Sequence, residues 1–461
     1  MKKFLPISFL VALMALTIGC GGNGTSTGTG GNQPGSVFVT GEDAPVSSVV
    51  TFNITINSIT LNNSSGSVTV LSTPTAVDFG RLVGLRSLLG FNTVAPGTYT
   101  SATFTFEASA PAPSISYLDF TTTPPSLGTM MGTLSSPTVT VSFSAGAPLV
   151  VGNNGLAGLH MDFDLRKSLA VDSNGDFTGV INPTVDVMAV SASDDLGQIT
   201  DFVGSVLSVN ASGNTFTMQG PYGFQRVIDV NAQTTFNPTF SLANLTAGSI
   251  VTLIGTMQLD GSILASNVEV ITTDLAFVSG RILAVSPATG PVQTVTLFVG
   301  EELPNNIYNI DSVQTIDISG VPSSEFKIGL FDDLDTTALF SDSSLVVGQR
   351  ILIGGTFSGT KLTPDVVSLR RQGVVGALTG TVNIIAGNHG SFQMQNDALM
   401  SYAAGGAFTV DTFDLTRFVN INGLTGLQTA GSANVIARGL VFKDPTSGKP
   451  VVVAGRVRVL P

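Results

Sequence analysis

The sequence is poor in the residues that carry most protein chemistry. Its 461 positions include one cysteine, two histidines and no tryptophan, and only 11% of them are charged. One cysteine cannot close an intramolecular disulfide, and with two histidines it falls short of a closed Cys/His zinc site. Tyr is scarce beside Phe, 5 against 28, which suits a core better than a binding surface. What is plentiful is Gly, at 52, and Pro, at 22, alongside Ser, Thr and Val. That composition predicts many short strands and turns in a chain long enough for about three domains with cores of their own.

The amino terminus has the layout of an export signal over residues 1–19. Lys2 and Lys3 precede an apolar stretch from Phe4 to Ile18, interrupted by Pro6, which is shorter than the ~20 residues of a membrane span. It ends in Leu16-Thr17-Ile18-Gly19-Cys20, which resembles the lipobox of bacterial lipoproteins, with Thr17 where Leu is commonest. The resemblance implies a diacylglyceryl group on the sulfur of Cys20, and hence a membrane partner through this anchor. Gly21 stands where an Asp would retain such a protein at the inner membrane, so the expected location is the cell envelope at the outer membrane. Residues 20–35 are rich in Gly and Thr, the composition of a flexible tether. Removing residues 1–19 takes two lysines and no acid, leaving net −14 where the whole chain has −12.

Alternating segments such as Thr51–Ile56 and Thr103–Phe106 place apolar side chains on one face and polar ones on the other, the pattern of antiparallel sheets. No long amphipathic helix stands out, and the fold class expected is all-β. Residues 36–190 read as a first unit. Its Asp43-Ala44-Pro45, Val77-Asp78-Phe79, Ala95-Pro96-Gly97-Thr98-Tyr99 and Met161-Asp162-Phe163-Asp164-Leu165 elements resemble the bacterial family called domain of unknown function 4382. That family implies a lipoprotein β-sandwich and no established activity.

The rest contains a degenerate repeat over residues 199–272, 277–371 and 374–461. Phe202–Val209 is echoed by Phe277–Val285 and by Ala377–Ile385, with Gly204, Gly280 and Gly380 in matching places. Ala247–Gly255 is echoed by Val347–Gly354 and, more loosely, by Gly431–Gly439. These units resemble domain of unknown function 5666, which implies small five-stranded barrels of oligonucleotide-fold type. Glycines in such strands permit bulges where a sheet curls on itself.

Few residues offer chemistry. Gly24-Thr25-Ser26-Thr27-Gly28 matches a nucleophile-elbow pattern but lies in the tether, away from the strand-to-helix turn that chemistry needs. His160, Asp162 and Asp164 share one face of a predicted strand, and could bind metal or exchange protons. The simpler expectation is a solvated outer face. His389 reads as a turn residue. Asp172-Ser173-Asn174-Gly175-Asp176 and Asp332-Asp333-Leu334-Asp335 offer oxygens to a hard cation, but read first as a hairpin turn and a solvated loop. Arg370-Arg371 is too short for a basic patch, and net negative charge without Trp argues against nucleic acid.

The reading that follows is a non-enzymatic, lipid-anchored envelope protein with a structural or binding role, no cofactor and no metal. Its partner would be an envelope protein or polysaccharide, and the alternative is a calcium-dependent adhesin or polysaccharide binder.

Overall fold

The computed structural model describes residues 33–460, apart from 45, 47, 84, 174–175, 221–224, 238–239, 273–275, 305–306, 330–339 and 360. Among the described residues strands dominate, and the longest helices, Ala398–Ala404 and Gly423–Thr429, have seven residues each. The fold is all-β, as expected.

The first unit is a sandwich. One sheet runs in the order Val185–Val190, Leu156–Asp164, Gly35–Ala44, Ser87–Val94. The facing sheet is built around the long Val49–Asn63 strand, flanked by Ser101–Phe106 and Ser114–Asp119. Burial in Ser101–Phe106 alternates residue by residue, as its sequence predicts. The expectation of antiparallel pairing needs correction, because, besides the short Thr133–Leu134 and Phe177–Ile181 pair, Gly35–Ala44 and Leu156–Asp164 pair in parallel. A parallel pair needs a long crossover, and here the whole second sheet supplies it. Phe163 centres the core, 5.2 Å from Phe52, 5.0 Å from Phe79 and 5.7 Å from Phe106 by ring centroids. Each such contact adds about 0.5–1.5 kcal/mol to simple burial, so phenylalanine serves as core.

Three six-stranded sheets follow, over Ile199–Thr272, Ala276–Arg370 and Gln372–Val459. In the first, Ile199–Asn210 pairs with Thr215–Gln219 and Ile250–Met257, and a parallel pairing of Gln225–Asp229 with Ile263–Thr272 closes five strands into a barrel. The third closes in the same way through Phe408–Thr412 and Pro450–Val459. The first and third are thus small closed barrels of oligonucleotide-fold type, and the second repeats their strand order as an open barrel, with no closing pair among the described residues. A Cβ on Gly204, Gly280 or Gly376 would overlap the carbonyl oxygen of Gln219, Phe298 or Gln395 respectively. Gly255, Gly355 and Gly439 form a second such set, each at a register shift. Glycine is needed there because the curled sheet brings backbone onto backbone. Two matches from the sequence therefore move: the third copy's glycine is Gly376 rather than Gly380, and Gly355 replaces Gly354.

From Gln33 onward the modules pack as one unit. Phe38 and Leu88 of the sandwich share a cluster with Ile199 and Val206 of the first barrel. Val203 and Ile271 join Phe277 and Leu352 of the second. Val50 and Leu118 meet Leu283 and Phe298 of the second barrel and Leu399 of the third.

Candidate functional site

The His160 face is buried where a solvated one was expected. His160 is 1% exposed, Asp162 6% and Asp164 2%. Their strand is flanked on both sides, with Leu159, Met161 and Phe163 in the sandwich core. Register places Thr40 opposite His160 and Glu42 opposite Asp162. Asp164 turns elsewhere: it caps the Leu165–Ser168 turn by accepting from Lys167 N at 3.2 Å, and pairs with Lys167 Nζ at 2.9 Å and Arg166 Nη2 at 3.2 Å.

The cover comes from the Pro450–Val459 strand of the third barrel. In Pro450–Val459, Val457 enters the third barrel's core while Arg456 and Arg458 leave its other face. Arg458 Nη2 lies 3.1 Å from Asp162 Oδ2, and its Nη1 3.6 Å from Glu42 Oε1. Arg456 Nη1 lies 3.7 Å from the same Glu42 oxygen. Asp195, in the connector from sandwich to first barrel, is shared by Arg456 Nε at 3.0 Å, Arg417 Nη1 at 3.2 Å and Arg86 Nη2 at 3.6 Å. The Arg456 contact is close in distance without hydrogen-bond alignment.

These groups set one another's ionisation. Burial drives His160 down to about 4, with Glu42 opposing and Arg86, Arg458 and Arg456 adding to the fall. Burial alone would raise Glu42, but Arg456 and Arg86 lead the charges that hold it below its ordinary value. Asp162 rises to about 6, from burial and then Glu42, with Arg458 resisting. The neighbouring Asp43 is raised well above its usual value by burial and then by Asp162. A buried, neutral imidazole within the field of three arginines is suited to fastening modules together.

Arginine does the same at other junctions. Arg81 and Arg350 converge on Glu301, the second at 2.9 Å. Arg370 Nη1 meets Glu269 Oε2 at 2.7 Å between the first and second barrels, and Arg281 Nη2 lies 3.7 Å from Asp397 Oδ1 between the second and third. Six of the twelve arginines are buried: Arg86, Arg370, Arg371, Arg438, Arg456 and Arg458.

A cavity of about 640 Å3 lies between the sandwich and the first two barrels. Leu71, Leu82, Leu89, Phe91 and Phe202 supply apolar wall, while Arg81, Arg226, Arg350, Glu301 and Asp78 supply polar groups. Its size and mixed lining are those of a small-molecule site. Burial pushes Asp78 up to about 7 against the pull of Arg81 and the Phe52 N–H, which donates to Asp78 Oδ1 at 2.9 Å.

Other candidates from the sequence stand apart. Cys20, the export signal, Gly24–Gly28 and Asp332–Asp335 lie outside the described residues. Asp172 and Asp176 close a turn on themselves, Asp176 N donating to Asp172 Oδ1 at 3.0 Å and Asp172 N to the Asp176 carbonyl at 2.9 Å. Among the described residues no three His, Cys, Asp or Glu side chains group as a metal site. His389 is exposed at a hairpin. Sequence reasoning passed over Glu42, Arg86, Asp195, Arg438, Arg456 and Arg458. The available signal was the bias to twelve Arg over seven Lys, with Arg456-Val457-Arg458 alternating as one strand face.

The molecule is therefore a β-sandwich joined to small barrels. Residues 35–178 match the family model described as Domain of unknown function (DUF4382), which spans the sandwich short of its Val185–Val190 strand and includes Glu42, Arg86, His160 and Asp162. No curated protein matches the sequence.

Proposed function

We propose that the protein is an exported, lipid-anchored, non-catalytic binding protein of the cell envelope, holding a small amphipathic molecule between its sandwich and its first two barrels. The cavity of about 640 Å3 carries this reading, because leucine and phenylalanine wall one part of it and arginine and carboxylate the other. An apolar body would lie along Leu71, Leu89 and Phe202, with a polar end toward Arg81 and Arg226. The arginine pairs at the junctions keep the walls in place, since the site depends on three modules holding their spacing. The lipobox-like Leu16–Cys20 segment and the Gly/Thr-rich stretch after it support the anchor, with domain of unknown function 5666 as the source of the barrels.

Solvent extraction of the purified full-length protein, followed by mass spectrometry, tests the cavity. About one equivalent of amphiphile is expected from wild type and little from Ser87→Trp, which puts a large side chain into the lining. Equal recovery from both would mean detergent or membrane carry-over and end the proposal. Metabolic labelling with radioactive fatty acid tests the anchor separately, since equal label in wild type and Cys20→Ala removes it.

A further inference from the structure

The arginine face of the third barrel is not balanced by the acids it meets. Arg438 lies directly across from Arg456 in the antiparallel pair, and Arg417 is opposite Arg456 on its other side. Three like charges thus stand in one row across three strands, an arrangement that is destabilising without compensation. Asp195 answers Arg456 and Arg417. Arg438 is 6% exposed, and its Nε and Nη2 have no hydrogen-bond partner. Those two nitrogens form one edge of the guanidinium, the edge that takes two oxygens of a single group side by side.

Charge points the same way. The buried guanidiniums of Arg86, Arg438, Arg456 and Arg458 face the carboxylates of Glu42, Asp162 and Asp195, the last of which also serves Arg417, with His160 neutral between them and the Asp43 carboxyl beside Asp162 held well above its usual value. Glu42 Oε1 and Oε2 and Asp162 Oδ1 lack hydrogen-bond partners as well. Arg86 Nη1 and Arg456 Nη2 are also without partners. Water could fill these N–H positions but carries no charge, and an uncompensated buried cation is costly. Burial and the neighbouring Arg371, Arg86 and Arg456 press Arg438 to give up its proton, with Asp195 resisting.

We propose that the Arg438 edge holds a small tetrahedral oxyanion, inorganic phosphate or sulfate, at the buried junction of the sandwich and the third barrel. The ion would accept two N–H bonds from Arg438 and lie within the field of Arg86 and Arg456. It would complete the charge balance of the junction and contribute to the stability of the folded body.

Urea unfolding of the full-length protein at fixed ionic strength tests this, with phosphate, sulfate or chloride replacing gluconate. The midpoint of wild type is expected to climb with phosphate or sulfate and to respond less to chloride, while Arg438→Met, which keeps length and loses charge, gives a flat line. The relative slopes for phosphate and sulfate identify the ion. An equal climb in both proteins means general salt stabilisation and overturns the proposal, as does no climb in wild type. Should Arg438→Met fail to fold, crystals of wild type soaked in selenate decide. An anomalous peak within hydrogen-bond distance of Arg438 Nε and Nη2 supports the site, and water or empty density there overturns it.

Discussion

The Thr40 hydroxyl lies 3.1 Å from His160 Nδ1 and 3.1 Å from the carbonyl oxygen of Leu196. A hydroxyl has one proton, and a carbonyl can only accept, so Thr40 donates to Leu196 and accepts from Nδ1–H. The imidazole is thereby fixed in one neutral tautomer, with Nε2 bare and 3.9 Å from Glu42 Oε2. One threonine on the first strand sets the protonation of a histidine 120 residues away.

Acid should weaken the junction through this histidine. His160 titrates near 4 when folded and near 6.5 when unfolded, so between those values the unfolded chain binds more protons. Stability then rises with pH across that window and is lost as pH falls from 6.5 toward 4, by about 3 kcal/mol at most. Thermal midpoints of wild type and His160→Gln should converge on acidification. Parallel pH curves would show that His160 does not titrate this way.

Asp78 should act with the opposite sign. Its folded value of about 7 exceeds the unfolded value near 3.9, so stability falls as pH rises from 4 to 7 and then levels. Asp78→Asn keeps an acceptor for the Phe52 N–H and cannot ionise. The variant should gain on wild type in thermal midpoint over this range, and a constant gap would refute the assignment.

Breaking the Glu269–Arg370 pair alone should be costly. Both residues are buried, and Glu269→Gln takes one carboxylate charge away from Arg370 between the barrels, at about 3 kcal/mol. Replacing both, as Glu269→Leu with Arg370→Met, should recover much of the loss. A double-mutant cycle with no coupling would assign the stability of that junction to its apolar contacts instead.

Two glycines in one hairpin should differ sharply. A methyl group at Gly280 overlaps the Phe298 carbonyl, whereas at Gly300 the nearest atom is 3.9 Å away. Gly280→Ala is expected to cost about 3 kcal/mol or prevent folding, and Gly300→Ala to stay within about 1 kcal/mol. Circular dichroism melts compare them, and similar melts would contradict the close-approach account.

Much of the strand layout was legible in the sequence, because alternation survives wherever one face is buried. Phe202–Val209 lies within Ile199–Asn210, and Thr103–Phe106 within Ser101–Phe106. Register was less legible: sliding a strand by four residues keeps every side chain on its face, so Gly380 imitated Gly376, whose close approach to the Gln395 carbonyl shows only in the fold. The His160 cluster was visible as a face but not as an interior. Alternation tells which side chains point together and says nothing of what covers them, and here the cover, Arg458, lies 296 residues beyond Asp162. The cavity left no local trace because its walls come from three modules.

The meeting of Glu42 with Arg456 and Arg458 also sets an order of events. Glu42 stands on the first strand of the sandwich and its arginines on a strand of the third barrel, so most of the described chain lies between them. Closing so long a loop is slow compared with local strand pairing. Each module can therefore pair its own strands first, while Glu42, Asp162 and Asp195 wait for Pro450–Val459. Formation of the charged junction is thus a late step of folding, the one that turns separately paired modules into a single body.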